Sequence, residues 1–310
     1  MAAEVETMFY TREKPWHGLG VRVENALSSK EALVAAGLDW NVEQRKVFTE
    51  EGHIIPGYYA NVRSTDNYAL GVVTKRYRIV QNHEAFAFTD ALLGKGVRYE
   101  TAGSLKGGRK TWILARLPKQ YRLAEDKVIP YLVFSNSHDG SAAIKVAMTP
   151  VRVVCNNTLN LALEGADRIW SAKHTGDIGS KLEDARFTLF MAENYMDGLV
   201  KESTRLSRKK ISDAEVGEYI KMLLPIATDA TETMEQNVKK MREDLKMRYY
   251  FAPDLQDTGK NQYRFINAVS DFATHVKPLR ETKQYQENLF LKTMEGNPLL
   301  DKAYRLMAAA

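Results

Sequence analysis

The spacing of apolar positions divides the chain into a strand-rich part and a helical part. Ser28-Ser29-Lys30-Glu31 before Ala32-Leu33-Val34-Ala35-Ala36 has the serine and glutamate of a capped helix start, and Gly37 ends it. From Asp39 to Val80 the pattern shifts to short runs rich in β-branched and aromatic residues, at Trp40–Phe48, Tyr58–Arg63 and Tyr68–Val73. Turn formers separate them at Glu51-Gly52-His53 and Ser64-Thr65-Asp66-Asn67. Asn82 is placed to cap a helix through residues 85–93 that Gly94 and Gly96 stop. Strands at Val97–Ala102 and Arg109–Leu117 flank Gly103-Ser104-Leu105-Lys106-Gly107-Gly108, which reads as a hairpin with a flexible basic tip. Tyr131–Phe134 and Ala142–Met148 read as buried strands, and Asp139-Gly140 between them suits a tight turn that needs positive φ. A short helix is expected over 159–163, starting at Asn157 or Thr158, and residues 1 to 25 show no regular pattern.

Beyond residue 177 the period changes. Lys181–Met191 opens a long amphipathic pattern, and further helices are predicted at 212–224, 229–249, 261–276 and 281–293. The expected fold is α+β: a mainly antiparallel sheet body, residues 1–176, with a helical C-terminal third, residues 177–310, packed on it.

Apolar and charged fractions of 44% and 27% fit a soluble globular protein, so wholesale disorder is not expected. No apolar run reaches the ~20 residues of a membrane helix. The start of the chain, with Glu4 and Glu6, does not read as a secretory signal. Cys155 stands alone, which excludes internal disulfides and four-cysteine zinc sites and suits a reducing cytoplasm. The histidines, His17, His53, His83, His138, His174 and His275, include no His-x-x-x-His pair, so no metal is expected, with convergence of scattered ligands as the minor alternative; no cofactor is expected.

Net charge is +5, but residues 71–122 hold eleven cations against three carboxylates, a local +8 that leaves −3 for the rest. Charge concentrated this way suits a face that meets a polyanion; the plainer alternative is a solvated surface with its charges scattered. Within the segment, Lys75, Arg76, Tyr77 and Arg78 interleave cations with an aromatic, as single-strand binders do. On a strand Lys75 and Tyr77 would share one face and Arg76 and Arg78 the other, so one face cannot hold all four. Lys106, Arg109 and Lys110 at the glycine-rich tip add three cations and bare amides suited to a phosphate backbone. The tip lacks the Gly-Lys-Ser/Thr ending of a nucleotide-hydrolysing loop. Arg152 completes this candidate set.

A second constellation is polar and more compact. His138, Asp139, Ser141, Arg152, Cys155 and Asn156 can gather at one end of a sheet, and Cys155 with His138 or His174 could form a thiolate–imidazole pair. The preferred reading of His138 and Asp139 is a turn, and of Cys155 at a strand end a packing residue. Asn267, Asp271 and His275 line one helical stripe, read as a packing or surface contact, with Phe265, Val269 and Phe272 toward a core.

Ser135-Asn136-Ser137-His138-Asp139-Gly140-Ser141, Arg152-Val153-Val154-Cys155-Asn156-Asn157-Thr158 and Lys14-Pro15-Trp16-His17-Gly18-Leu19-Gly20 carry a resemblance, joined by Lys173–Ile178 and Tyr263–His275. Together they are similar to a family of phage- and plasmid-encoded proteins, the domain of unknown function 932. The resemblance implies a setting in bacterial mobile elements, and no activity. With the basic segment, it leads to the expectation of a cytoplasmic, non-enzymatic protein that binds single-stranded DNA in recombination or replication as a homo-oligomer, away from membranes. A strand-rich sheet with a charged hairpin and a helical tail is similar to phage annealing proteins, which is analogy of fold alone. The competing expectations are a hydrolase or nuclease built on His138, Asp139, Cys155, Asn156 and His174, or an anti-defence protein that binds a host protein.

Overall fold

A computed structural model describes residues 5–11, 21–24, 27–94, 98–117, 119–124, 126–152, 163, 168–275 and 296–309. The chain is α+β with mainly antiparallel sheets and a helical C-terminal third. It divides into two compact units: Met1–Pro118, Tyr131–Met148 and Asp167–Ala192 form the first, and Lys119–Pro130, Thr149–Ala166 and Glu193–Ala310 the second.

The first unit holds two sheets. The larger has strand order β11-β10-β9-β7-β6-β1-β2. Its strands are β1 (Val5–Tyr10), β2 (Val21–Arg22), β6 (Arg98–Leu105), β7 (Lys110–Arg116), β9 (Asp126–Ser137), β10 (Ile144–Arg152) and β11 (Ile169–Ala172). The smaller runs β3-β4-β5, with β3 (Val42–Phe48), β4 (Ile54–Arg63) and β5 (Ala69–Thr74). Directly opposed residues share a face, so Phe9, Ala102, Ile113 and Phe134 form one row across β1, β6, β7 and β9. All four are buried in the core with Tyr99, Leu132 and Phe86. One pleat further, toward the end of β9, the row on this face is Thr7, Ser104, Thr111 and Asn136. There the buried face turns polar, and it leads to the site described below.

Two short helices cover this core. Helix α1 (Ser29–Ala35) starts from the expected capping box: the Glu31 amide donates to Ser28 Oγ, and Glu31 Oε2 accepts from the Ser28 amide at 2.9 Å. Gly37 follows at φ +62°, as a helix stop requires. Helix α2 (Asn82–Leu93) ends at Gly94 with φ +73°.

Three expectations for this unit are corrected. The first 25 residues are not without regular structure, because β1 pairs with β6 and buries Phe9. Asn82 is not the cap of α2; Gln81 takes that position, and Asn82 turns inward. The segment 75–80 does not continue a strand, since β5 ends at Thr74 and a turn follows.

In the second unit β8 (Tyr121–Leu123) pairs with the start of β9. Helix α3 (Ile178–Arg208) enters it from residue 193. Helices α4 (Asp213–Leu223), α5 (Glu232–Phe251), α6 (Gln262–His275) and α7 (Pro298–Ala309) complete it. Residues 261–270 are buried without exception, so α6 is enclosed by its neighbours, α5 and α7 among them. Within α6, Phe265, Val269 and Phe272 are core; Asn267 is buried too, and Asp271 pairs with Arg248. Ser212 and Thr231 cap α4 and α5 as Ser28 caps α1. Trp16, His17, residues 159–162 of the helix expected over 159–163 and the helix over 281–293 lie outside the described residues. No helix among the described residues is long and apolar enough to cross a membrane.

Candidate functional site

The site grows out of the turn after β9. Asp139 Oδ1 accepts hydrogen bonds from Ser137 Oγ at 2.6 Å and from the Ser141 amide at 2.9 Å, and Gly140 takes φ +74°. The aspartate therefore bonds the backbone two residues on, and the glycine supplies the left-handed step. The sequence reading of this stretch as a turn holds.

Strand β5 packs directly on that turn. A Cβ on Gly71 would stand 2.7 Å from the Asp139 Cα, so only glycine allows the approach. Asn61 Nδ2 of β4 donates to the His138 carbonyl at 2.6 Å, and Tyr77 Oη donates to the Ser137 carbonyl at 2.5 Å. The His138 amide in turn donates to the Arg109 carbonyl at 2.7 Å, which fastens the turn to the β6–β7 hairpin.

His138 is fully buried. Its Nε2 stands 3.0 Å from Asn82 Oδ1, and its ring meets Trp40 edge-on at 5.4 Å. The Asn82 amide nitrogen faces the Leu38 and Trp40 carbonyls, so its oxygen faces the histidine and Nε2 carries the proton. Burial, with His174 close by, pushes the His138 pKa down to about 3, against a small opposing pull from Asp139. The imidazole is a neutral packing group and does not line the cleft.

His174 is buried as well but lies at the cleft. Its Nδ1 donates to the Arg78 carbonyl at 3.0 Å, and the Arg78 amide donates back to the His174 carbonyl at 2.8 Å. Its ring stacks on Tyr77 with centroids 4.6 Å apart. Burial lowers its pKa, which the Arg78 carbonyl offsets in part. Burial and the Asp139 charge push the Tyr77 hydroxyl up, so it remains protonated. For Asp139, burial acts upward, but hydrogen bonds from Ser137 and Ser141 and the charge of Lys110 outweigh it, and the carboxyl stays below its usual range.

A cleft of about 460 Å³ opens over this assembly, a size typical of small-ligand sites. Tyr58, Thr74, Tyr77, Asp139, Ser141 and Lys173 are among its walls. Tyr58 presents a half-exposed ring, 48% accessible, and Phe48, Ile54 and Val72 stand exposed on the same small sheet. Lys75 adjoins the cleft through its amide, which donates to the Gly57 carbonyl, and Arg78 through its two bonds to His174. Lys75, Arg76, Arg78 and Lys173 are all exposed, and their side chains have no ion-pair partner among the described residues.

The predicted residues thus separate. Lys75 and Arg78 adjoin the cleft through their backbones, Arg76 lies between them in the chain, and Lys173, from the segment after β11, lines the cleft itself. Tyr77 does not join them at the surface: at 6% exposure, with its ring against His174, it packs and cannot serve as the stacking platform that the strand reading gave it. Nor is the hairpin tip a bare loop. Gly107 lies against the Tyr68 ring, Gly108 is buried, and Lys106 and Lys110 both have interaction partners, which leaves Arg109 as its exposed cation. The strand holding Arg152 is described but its side chain is not, and Cys155 and Asn156 lie outside the described residues. Among the described residues, no three His, Cys, Asp or Glu side chains gather as metal ligands.

Sequence reasoning missed Tyr58, Lys173, Asn61 and Asn82 as parts of the site. Lys173 stood within a quoted motif, Lys173-His174-Thr175-Gly176-Asp177-Ile178, and that was its only signal.

An α+β body whose small sheet and β9 turn line a cleft that also holds Lys173 is the class that this geometry defines. Residues 69–293 match the family model described as Domain of unknown function (DUF932), and the chain belongs to that family. No curated protein and no solved structure matches the chain.

Proposed function

We propose that the protein binds single-stranded DNA in the cytoplasm of a bacterial host, during recombination or replication of a mobile element, and acts without catalysing a reaction. The observation that carries this reading is four exposed cations without ion-pair partners among the described residues, Lys173 on the cleft wall with Tyr58 and Lys75, Arg76 and Arg78 on the adjoining segment. Cations that follow phosphates next to an aromatic that accepts a base are the two parts of a sequence-tolerant single-strand site. Cations left without carboxylate partners keep counterions that a phosphate chain can displace. Among the described residues, strands β3 and β5 each have one neighbour in the small sheet, and such edges supply a route to homo-oligomers by strand pairing. The test is a band-shift with labelled single- and double-stranded oligonucleotides at low and physiological salt. The reading expects single-strand binding that weakens steeply with salt, and absence of binding by folded protein at ~50 mM salt contradicts it.

A further inference from the structure

The walls of the cleft have a chemistry of their own. Asp139 Oδ1 accepts from Ser137 Oγ and from the Ser141 amide, and the Ser141 hydroxyl gives the carboxylate further support. Neither Oδ1 bond uses Oδ2, which keeps acceptor capacity for a ligand in a cleft whose other walls include Tyr58, Tyr77 and Thr74. A carboxylate has acceptor capacity only, so its partner must bring a donor. Lys173 on the cleft wall, without an ion-pair partner among the described residues, suits a phosphate attached to that ligand.

We propose that the cleft receives one nucleobase of the bound strand and prefers a base that carries an exocyclic amine, which donates to Asp139 Oδ2. This rests on the single-strand reading and adds a base preference to it. Cytosine N4 is a good donor to an aspartate. Uracil and thymine have one ring donor, N3–H, set between two carbonyl oxygens whose lone pairs repel a carboxylate. A flat base beside the Tyr58 ring also gains stacking, which tolerates any base and sets no preference.

The sharpest consequence concerns Asp139→Asn. The two donors that converge on Oδ1 require an oxygen there, so the amide nitrogen must take the Oδ2 position. An acceptor thereby becomes a donor, and the preference should pass from cytosine to uracil, whose O4 accepts.

The experiment is fluorescence anisotropy of the full chain with oligo-dC and oligo-dU of equal length at one salt concentration. Wild type should bind oligo-dC about tenfold more tightly, as one discriminating hydrogen bond allows. Asp139→Asn should reverse the order. Tyr58→Ala, at a half-exposed position where folding is not at stake, should weaken both oligonucleotides several-fold and keep the preference. Equal affinity of wild type for the two oligonucleotides overturns the base site and leaves the strand reading standing. No binding of either by folded protein overturns both.

Discussion

Tyr77 and His174 stack with ring centroids 4.6 Å apart and planes 14° from parallel, and Arg78 bonds the same histidine through both its amide and its carbonyl. One aromatic in the middle of a basic run thus clamps the segment after β11 against the segment after β5, and the cations around it are left outside. Tyr77 also closes the turn after β9 through its hydroxyl. Tyr77→Phe keeps the stack but leaves the buried Ser137 carbonyl without that donor, and should cost about 1–3 kcal/mol. Urea denaturation should show a lower midpoint at unchanged slope. A midpoint equal to wild type would mean that the hydroxyl bond contributes nothing.

The two buried imidazoles set an acid limit on stability. Both are held neutral, His138 with its pKa pushed down to about 3 and His174 shifted in the same direction. A histidine with a depressed folded pKa stabilises fully above its unfolded value of about 6.5, and the contribution falls as pH drops toward the folded value. His138 should then cost about 1.4 kcal/mol per pH unit between pH ~6 and its folded value, and His174 acts in the same direction. His138→Gln is less stable at neutral pH, but its stability should depend less steeply on pH between 6.5 and 5 by about one proton. Equal slopes for variant and wild type would refute a buried neutral His138.

Gly71 lies where β5 meets the Asp139 turn, with no space for a Cβ at 2.7 Å from the Asp139 Cα. Gly71→Ala must push strand and turn apart, at a cost of about 1–3 kcal/mol, and should weaken binding of oligonucleotides because the cleft walls separate. Alanine tolerated in both stability and binding would show that the two backbones have room to move.

In the helical unit, Arg264 is buried and donates to the Tyr249 and Tyr250 carbonyls in the last turn of α5 and to the Thr258 carbonyl beyond it. Arg264→Met removes the donors to the Tyr249 and Thr258 carbonyls, leaves Tyr250 with Gln256 alone, and should cost about 3 kcal/mol in thermal or chemical denaturation. Arg264→Lys should recover little, because one ammonium cannot reproduce the planar fork. Full recovery by lysine would reduce the role to charge alone.

These relationships were legible in the sequence to different degrees. The capping boxes of α1 and α4 rest on local contacts, Ser28 with Glu31 and Ser212 with Glu215, and local contacts leave a local signature. Strand β1 was hidden because it pairs with β6 over ninety residues away, and nothing near it marks a strand. Asn82 looked like a cap because an asparagine before a helix usually is one; its amide is instead needed by Leu38, Trp40 and His138. The basic run at 75–78 was visible, but the depth of Tyr77 was not. That reading extended the two-residue period of β5 past Thr74, where the chain in fact turns. Lys173 joins the cleft only because His174 stacks on Tyr77, a contact with no counterpart in the local sequence.

The central claim, that the rim of the cleft holds a nucleic-acid backbone, is tested most directly by the salt dependence of binding in wild type and in the combined variant Lys75→Ala, Arg76→Ala, Arg78→Ala, Lys173→Ala. All four residues are exposed and the variant should fold. Each cation that meets a phosphate of a single strand contributes about −0.7 to the slope of log affinity against log salt. The account predicts that the variant binds more weakly at every salt concentration and that its slope is shallower by about 2 to 3. Equal slopes in variant and wild type, whatever the affinity, would contradict it.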